Sequence, residues 1–462
     1  MFIFPLVYII SYFIALKEVY KGNPAGILVF LIFGLSIYTT AMSVAFMLGL
    51  KDLIPIFQVF KEVLVFSVLI LNIVSLRHRP RFHVIDYWIF AFLLLTVIYA
   101  ILPIGEQSFV NRLIALKSLS FYIVVYFTGR LIDPRTIYVN KYFNYILLLT
   151  IATAAVLIVE VVMQQQLQTI TGYAEYNYYF FNFEPAGMFG LSTTFESEGG
   201  YRRFASFFGS PIEHGLATLI ALSVIVALYT RDDNKFKING IGIIALLASL
   251  LSIIFAFSRS PLVSYFLIIY VYALLTKRKL ITNTIHISLG IAAAYIIYLF
   301  VRFENNNTGI MEVVMNTIDF SNPSSLGHIA QWAEGIVAMG EHPLGMGIGS
   351  SGRVAASISE NVGGENQFII IGVQTGIAGL LMYLSIFVLF IKSGLKWLPV
   401  LKGKERKVCM AVLLMKVGFL IPLLTSEVET SSYISYMNWF LSGLFISIIM
   451  QPKRPQLPVA YD

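Results

Sequence analysis

Charged residues are scarce in this chain. Asp, Glu, Lys and Arg make up 12% of its 462 residues, whereas an ordinary soluble domain has about 25%. Apolar residues fill the difference, at 58% of the chain and a mean hydropathy of +0.79. Many apolar runs reach the roughly 20 residues that a helix needs to cross a bilayer. The composition therefore excludes a soluble protein and predicts a polytopic membrane protein.

Cysteine is nearly absent, because Cys409 is the only one. A single cysteine excludes an intramolecular disulfide framework. The first residues also lack the basic start and the small-residue cleavage site of a signal peptide, so we expect them to form a retained first helix. The pI near 9.2 comes from basic residues in short loops between apolar runs, a pattern typical of membrane topology rather than nucleic-acid binding.

The apolar runs predict an all-α polytopic membrane protein with about thirteen transmembrane helices, or twelve to fourteen given the short first run and the charges inside the third. The predicted helices are 2–16, 25–49, 53–76, 85–104, 113–131, 144–163, 212–229, 241–257, 262–276, 285–301, 366–391, 408–424 and 434–450.

Two connections between these runs are long, 164–211 and 302–365. Structureless loops beyond about 15 residues are uncommon unless they are functional, so these two are predicted to carry the function. The chain then divides into N-terminal helices (1–163), a first long loop (164–211), central helices (212–301), a second long loop (302–365) and C-terminal helices with a short tail (366–462).

Lysine and arginine concentrate in the connections that alternate with the two long loops. Cytoplasmic loops carry this excess, so we expect the long loops and the N-terminus outside and the C-terminus in the cytoplasm. Seven basic residues are left on the outer side, and six of them are arginines. The seven are Lys51, Arg112, Arg202, Arg203, Arg259, Arg302 and Arg353. Guanidinium groups bind phosphate oxygens bidentately. The pattern favours a site for a phosphorylated ligand; the alternative is six unrelated surface arginines.

Arg259 is the only charged residue between Ile241 and Thr276. A charge at membrane depth is expensive and marks a functional candidate. Pro261 suits a first helical turn, so the run is predicted to split into two helices around "SRSP". Arg259 would then lie in an outer turn at the depth of headgroup phosphates. The alternative is a side chain that only reaches out to bulk lipid headgroups.

The first long loop offers arginines and aromatic rings. Arg202 and Arg203, in "YRRF", precede a helix expected near Pro211, whose positively polarised start favours an anionic ligand. Exposed aromatic rings could stack on sugars or belong to an ordinary interfacial belt. Our candidates for sugar contacts are Tyr178, Tyr179, Tyr201, His214, His342 and Asn366.

The second long loop contains the glycine-rich "EHPLGMGIGSSGR", at 341–353. No strand precedes it, which argues against a dinucleotide site. Its glycines either let backbone N–H groups approach a ligand or allow a tight turn at the membrane edge. Glu365, at the start of the next helix, is either a proton-accepting base or a first-turn acid stabilised by the helix dipole.

Metal chemistry has little support in the sequence. The histidines of the outer face are scattered, and its only closely spaced carboxylates are Glu196 with Glu198 and Glu427 with Glu429. No zinc-binding or phosphate-loop pattern is present. We therefore expect neither a metal nor another cofactor.

Four segments resemble, in order and spacing, the O-antigen ligase/polymerase superfamily of bacterial envelopes, which includes Wzy-type polymerases and WaaL-type ligases. They are "RRFASFFGSP", "FAFSRSPLVSYFLI", "HPLGMGIGSSG" and "ENQFIIIGVQTGIAGLLMYL", and the resemblance covers about 200–390. It implies a GT-C-like fold with large extracytoplasmic loops above a lateral opening to lipid. It also implies metal-independent transfer of a glycan from undecaprenyl diphosphate onto a hydroxyl.

The resemblance implies roles for particular residues. Arg203 matches the first-loop arginine of the family, Arg259 its Ser-Arg arginine, and Arg353 precedes Gly364 by the spacing of polymerase loops. We expect these arginines, with Arg202, to bind diphosphate, and Arg259 and Glu365 to be catalytic. Ligases usually carry His-Asn at the head of the last motif. This chain has Glu365-Asn366, which looks more like polymerases.

The sequence hypothesis is a polysaccharide polymerase of the bacterial cytoplasmic (inner) membrane. Its expected partners are undecaprenyl-diphosphate-linked oligosaccharide repeat units, membrane lipid, a chain-length regulator and a flippase, without nucleic acid. One alternative is a ligase that transfers glycan to lipid A-core or another acceptor. Another is a transporter of lipid-linked sugars, although transporters usually carry such charges at the membrane midplane. A non-catalytic scaffold is the third.

Overall fold

Helices account for nearly all regular structure in the computed structural model, which describes residues 1–76, 80–197, 201–302, 323–356 and 361–451. Within these ranges the only strand-like pairings are two isolated antiparallel bridges, Glu196 with Arg202 and Thr230 with Phe236. The predicted all-α class is therefore confirmed for the described residues. Glu198, which the sequence places close to Glu196, lies outside the described residues.

Eighteen helices follow one another along the described chain. The first nine are α1 (Ile3–Tyr20), α2 (Pro24–Gly34), α3 (Tyr38–Met47), α4 (Ile54–Val74), α5 (Val84–Ile101), α6 (Phe109–Arg130), α7 (Val139–Met163), α8 (Leu167–Ile170) and α9 (Tyr173–Phe181). The others are α10 (Pro211–Tyr229), α11 (Gly240–Phe255), α12 (Arg259–Leu275), α13 (Lys279–Arg302), α14 (Pro323–Glu341), α15 (Gly352–Ala356), α16 (Gln367–Trp397), α17 (Gly403–Thr425) and α18 (Ser432–Ile449).

Each predicted apolar run corresponds to one of these helices or, for 25–49, to the bent pair α2 and α3. Among the described residues nine helices are long and apolar enough to cross a membrane: α1, α4, α5, α6, α7, α10, α16, α17 and α18. The bent pair, which turns by 62°, would make ten. Helices α11 and α12 are apolar but shorter. A polytopic membrane protein is thus confirmed, with nine or ten full-length spans by these criteria.

The connections between the helices meet at two ends of the bundle. At one end, which we call the loop-rich end, residues 164–197, 201–210, 256–258, 343–356, 361–366 and 426–431 lie together. The Phe204 N–H donates to the Phe255 carbonyl at 3.2 Å, and the Glu429 N–H donates to Gln367 Oε1 at 3.2 Å. The two predicted long loops therefore share one surface.

The opposite end, which we call the basic end, brings together residues 131–138, 230–239, 276–278 and 398–402. Lys404 Nζ donates to the Pro134 carbonyl at 3.0 Å, and Arg278 donates to the Asn234 carbonyl at 2.8 Å. Many of the lysines and arginines of the sequence lie here. The charge asymmetry read from the sequence is thus an asymmetry between two faces of the folded bundle.

The glycine-rich segment of the second long loop inserts into a break in α16. Gly376, with φ 73° and ψ −175°, interrupts this helix. The Ile377 N–H donates instead to the Pro343 carbonyl at 3.0 Å, and the Met346 N–H donates to the Val373 carbonyl at 2.7 Å. A broken helix is tolerated where neighbouring groups satisfy its backbone in this way.

Two glycines let the inserted segment pack against the connection between α5 and α6. A Cβ on Gly347 would lie 2.1 Å from the Ile104 carbonyl oxygen, and one on Gly105 would lie 2.1 Å from the Met346 oxygen. Both residues also have positive φ, which glycine adopts without steric cost. Of the two uses considered for these glycines, the structure supports the tight turn: they pack backbone against backbone.

A buried ion pair fixes the basic end. The Asp86 side chain is fully buried, and its Oδ2 lies 3.2 Å from Arg130 Nη2. Asp86 also accepts the His83 N–H at 2.7 Å at the start of α5. The pair therefore ties α5 to the end of α6.

We expect Asp86→Asn to destabilise the protein by about 3–5 kcal/mol, because it leaves the Arg130 charge buried and uncompensated. The matched control is Asp133→Asn, which weakens an exposed pair with Arg135 and should cost about 1 kcal/mol or less. Thermal unfolding of the detergent-solubilised variants measures both effects. Equal unfolding temperatures for the two variants would contradict a structural role for the buried pair.

Candidate functional site

Arg203 lies against the turn between α11 and α12. Its N–H donates to the Phe195 carbonyl at 2.9 Å, and its Nε donates to the Ala256 carbonyl at 3.3 Å. The next residue bonds to Phe255 as described above. This extended segment therefore holds the Arg203 guanidinium, which is half-buried, beside the start of α12.

Three polar side chains, at the end of α7 and just after it, form hydrogen bonds to the backbone of this segment. Gln166 Nε2 donates to the Arg203 carbonyl at 3.3 Å, and Gln168 Nε2 donates to the Ser206 carbonyl at 2.8 Å. Glu160 Oε2 accepts the Ser206 N–H at 2.9 Å. All three polar side chains are buried. These three residues were not predicted from the sequence, although the run "QQQLQ" directly after an apolar helix was the available signal.

Arg259 is the first residue of α12, so the predicted split of the apolar run around "SRSP" is confirmed. The turn is fixed on two sides. Thr425 Oγ1 donates to Ser260 Oγ at 2.8 Å, and Pro261 packs so closely on α10 that a Cβ on Gly215 would lie 2.9 Å from it. The Arg259 residue itself is exposed at the loop-rich end.

Arg203, Arg259 and Glu365 form one electrostatic cluster. The pKa of Arg203 is lowered to about 10, mainly by burial and also by the neighbouring Arg259 charge, whereas Glu365 opposes the change. A negative charge beside two guanidinium groups stabilises their charged forms. The structure thus brings together three residues predicted from three separate motifs, in an arrangement suited to an anion.

Arg353 lies on α15 and belongs to an adjoining group of side chains. Its guanidinium carbon lies 5.2 Å from the centre of the Phe183 ring. Burial raises the pKa of Tyr173, and the neighbouring Arg353 charge opposes this change. The backbone N–H of Arg353 donates to Glu427 Oε2 at 2.7 Å. The first and second long loops therefore meet at this arginine.

Glu427 interacts both with the cluster of Arg203, Arg259 and Glu365 and with the group of side chains around Arg353. Burial raises the pKa of this half-buried carboxyl to about 7; Glu365 acts in the same direction, whereas the Arg353 N–H and guanidinium oppose it. Glu427 therefore interacts with both Arg353 and Glu365. From the sequence, Glu427 was predicted only to be closely spaced with Glu429, without a role in the site.

Glu365 is exposed and precedes the helix cap. The cap is Asn366, whose Oδ1 accepts the N–H groups of Phe368 at 3.0 Å and Ile369 at 3.2 Å. Glu365 is thus outside the first turn of α16, which speaks against the reading as a first-turn acid. Asn366 is buried, and its contact with a sugar stays a prediction.

His214 is also corrected by the structure. Its side chain is fully buried in α10, with Nδ1 3.1 Å from the Phe204 carbonyl oxygen and its ring stacked on Phe208 at 5.7 Å. It cannot contact a sugar from this position. His342 is exposed just after α14 and stays a prediction.

The Arg202 side chain contacts different residues from the Arg203 side chain. Its guanidinium donates to the Gln164 carbonyl and lies 4.4 Å from the centre of the Phe189 ring. The predicted sugar-stacking residues Tyr178, Tyr179 and Tyr201 are all exposed, and their role stays a prediction. Within the described ranges, no group of three or more His, Cys, Asp or Glu residues could hold a metal ion.

Comparison with known families supports the resemblance drawn from the motifs. Residues 244–384 match the model of a family described as O-antigen ligase. This confirms the similarity to the O-antigen ligase/polymerase superfamily. The matched stretch includes Arg259, Arg353 and Glu365, whereas Arg203 precedes it and Glu427 follows it. Among curated proteins, none matches the chain.

The neighbouring arginines provide a matched pair of variants. We expect Arg203→Ala to weaken binding of a short-chain prenyl diphosphate by about tenfold or more, because a hydrogen bond to a charged group is worth about 1.5–3 kcal/mol. Arg202→Ala should change it by about twofold or less, since the Arg202 guanidinium contacts Gln164 and the Phe189 ring rather than Arg259 and Glu365. Titration of purified protein measures both affinities. Equal losses in the two variants would contradict the assignment.

Proposed function

We propose that this protein is a glycan polymerase of the O-antigen type. It transfers a growing glycan from undecaprenyl diphosphate to a lipid-linked repeat unit at the outer face of the bacterial cytoplasmic membrane. The observation that carries the proposal is the convergence of Arg203 and Arg259 with Glu365 at the loop-rich end. The family match over 244–384 supports the general class of reaction.

The arginines would act on the leaving group. As the bond between the anomeric carbon and the diphosphate oxygen breaks, its electron pair goes to that oxygen and negative charge accumulates on the diphosphate. Pre-positioned donors stabilise such charge, and one donor is worth about 2.7–4 kcal/mol. Arg203 and Arg259 supply two fixed positive charges for this step without a metal ion.

Glu365 would accept the proton of the attacking hydroxyl. Its exposed carboxylate lies within electrostatic reach of Arg203, so that the base and the cation that stabilises the leaving group share one site. A positioned base contributes about 100- to 10,000-fold in rate. One base and a single displacement predict inversion at the anomeric carbon.

Charge distribution supports the orientation. Cytoplasmic connections carry an excess of lysine and arginine, which fits the basic end with its Lys404 and Arg278 contacts. The loop-rich end then faces outward, where a flipped carrier lipid presents its diphosphate. On this arrangement the N-terminus is outside, the C-terminus is cytoplasmic, and a flippase and a chain-length regulator are the expected partners.

Glu365 also favours a polymerase over the second candidate, a ligase. Where ligases of the family carry His-Asn, this chain has Glu365-Asn366. A carboxylate base therefore replaces the imidazole at that position. The description of the matched family as O-antigen ligase is what keeps the ligase as a candidate.

The experiment that tests the proposal incubates purified protein with defined undecaprenyl-diphosphate-linked repeat units and separates the products by size. A ladder of increasing length supports the polymerase. A single transfer to a distinct acceptor identifies a ligase. Unchanged lipid that crosses the membrane of protein-containing vesicles identifies a transporter.

We expect Arg259→Lys to abolish long polymer while the protein accumulates normally in membranes. A lysine keeps the charge but loses the planar fork that binds two phosphate oxygens. Arg135→Lys, at an exposed position of the basic end, is the control and should give a normal ladder. Wild-type chain lengths from the Arg259 variant would contradict the phosphate role.

Glu365→Gln should lower the polymerisation rate by about 100-fold or more, because an amide cannot accept the proton. Affinity for the lipid-linked donor should change far less. The control is Glu106→Gln, which alters an exposed acid in the connection between α5 and α6. Single-turnover rates and binding titrations separate the two effects; an unchanged rate would reduce Glu365 to a structural residue.

A further inference from the structure

Glu427 occupies a fixed place in the connection between α17 and α18. Its Oε2 accepts the Arg353 N–H at 2.7 Å, and its Oε1 would lie 3.0 Å from a Cβ on Gly352. Gln367 Oε1 accepts the Glu429 N–H at 3.2 Å, which attaches this connection to α16 two residues after Glu365. The carboxylate thus lies where the second long loop, α16 and this connection meet.

The charged groups around Glu427 come from several elements. Arg353 faces it from α15 and Glu365 from the segment before α16. Glu213, at the start of α10, interacts with Arg353 in turn. Glu429 belongs to the same connection, but its carboxylate accepts hydrogen bonds from side chains of α16 and α18. Arg353 is therefore the positive charge that Glu427 engages.

Burial raises the pKa of Glu427 to about 7, and Glu365 adds to the effect. The carboxyl is accordingly mostly neutral below pH 7 and mostly ionised above it. An ionised Glu427 offsets part of the Arg353 charge, whereas a neutral one leaves that charge available. Both forms keep an oxygen that can accept the Arg353 N–H.

We propose that Glu427 is a positioning residue of the site that acts through Arg353. Its carboxyl fixes the turn that carries this arginine, and its negative charge competes with the anionic ligand for the guanidinium. The inference rests on the proposed function for the identity of the ligand, a diphosphate-linked glycan lipid. Glu427 lies outside the matched family segment. Its ionisation predicts that the affinity for the anionic ligand falls as pH rises.

The test measures binding of an undecaprenyl-diphosphate-linked sugar between pH 6 and pH 8. This probe has both phosphates substituted, so its own charge stays constant over the range. The wild-type affinity should fall severalfold as pH rises. Glu427→Gln keeps an oxygen for the Arg353 N–H but removes the charge, so its affinity should be independent of pH and close to the wild-type value at pH 6.

Glu196→Gln is the matched control. Glu196 Oε2 accepts the Met188 N–H at 2.9 Å in the first long loop, a bond of the same kind as the one Glu427 makes. This variant should keep the wild-type dependence on pH. Loss of the dependence in the control as well would overturn the assignment to Glu427.

Arg353→Gln gives a second route if Glu427→Gln does not fold. It changes an exposed residue and should both weaken binding and remove the dependence on pH, because Glu427 acts through this guanidinium. A wild-type pH profile in either variant overturns the inference. Binding needs no turnover, so the two proposals can fail separately: without a product ladder the polymerase fails, and with an unaltered pH profile only the role of Glu427 fails.

Discussion

The electrostatic interaction between Arg203 and Arg259 is the constraint on which the proposed site depends. The Arg259 charge helps to lower the pKa of Arg203, and fixed contacts hold the segments that carry both residues. Backbone bonds to Phe195 and Phe255 hold Arg203, while the bond between Thr425 and Ser260 holds the turn that carries Arg259. This arrangement suits the anionic ligand proposed above.

The charged residues are distributed differently between the two ends of the bundle. Short basic connections at one end and arginine-bearing loops at the other make the two faces of the bundle chemically different. The loop that fills the break at Gly376 takes up α16 backbone groups that the break leaves without partners in the helix.

Much of this could be predicted from the sequence because charge is scarce in it. Apolar runs located the apolar helices of the bundle, whereas α8, α9, α14 and α15 lie in the two predicted long loops and were not predicted. An arginine such as Arg259 is conspicuous in a run without other charges. Contacts between distant segments were not predictable. Glu427 meets Arg353 across 74 residues, and nothing local marks that pairing. His214 shows the same limit, since only packing decides which face of α10 is buried.

The most direct measurement is a structure of the protein with an undecaprenyl-diphosphate-linked sugar bound. The account predicts that the diphosphate oxygens lie within hydrogen-bonding distance of the guanidinium groups of both Arg203 and Arg259, with the sugar towards Glu365. A diphosphate bound at the basic end, or at the loop-rich end without contact to these two arginines, would contradict it.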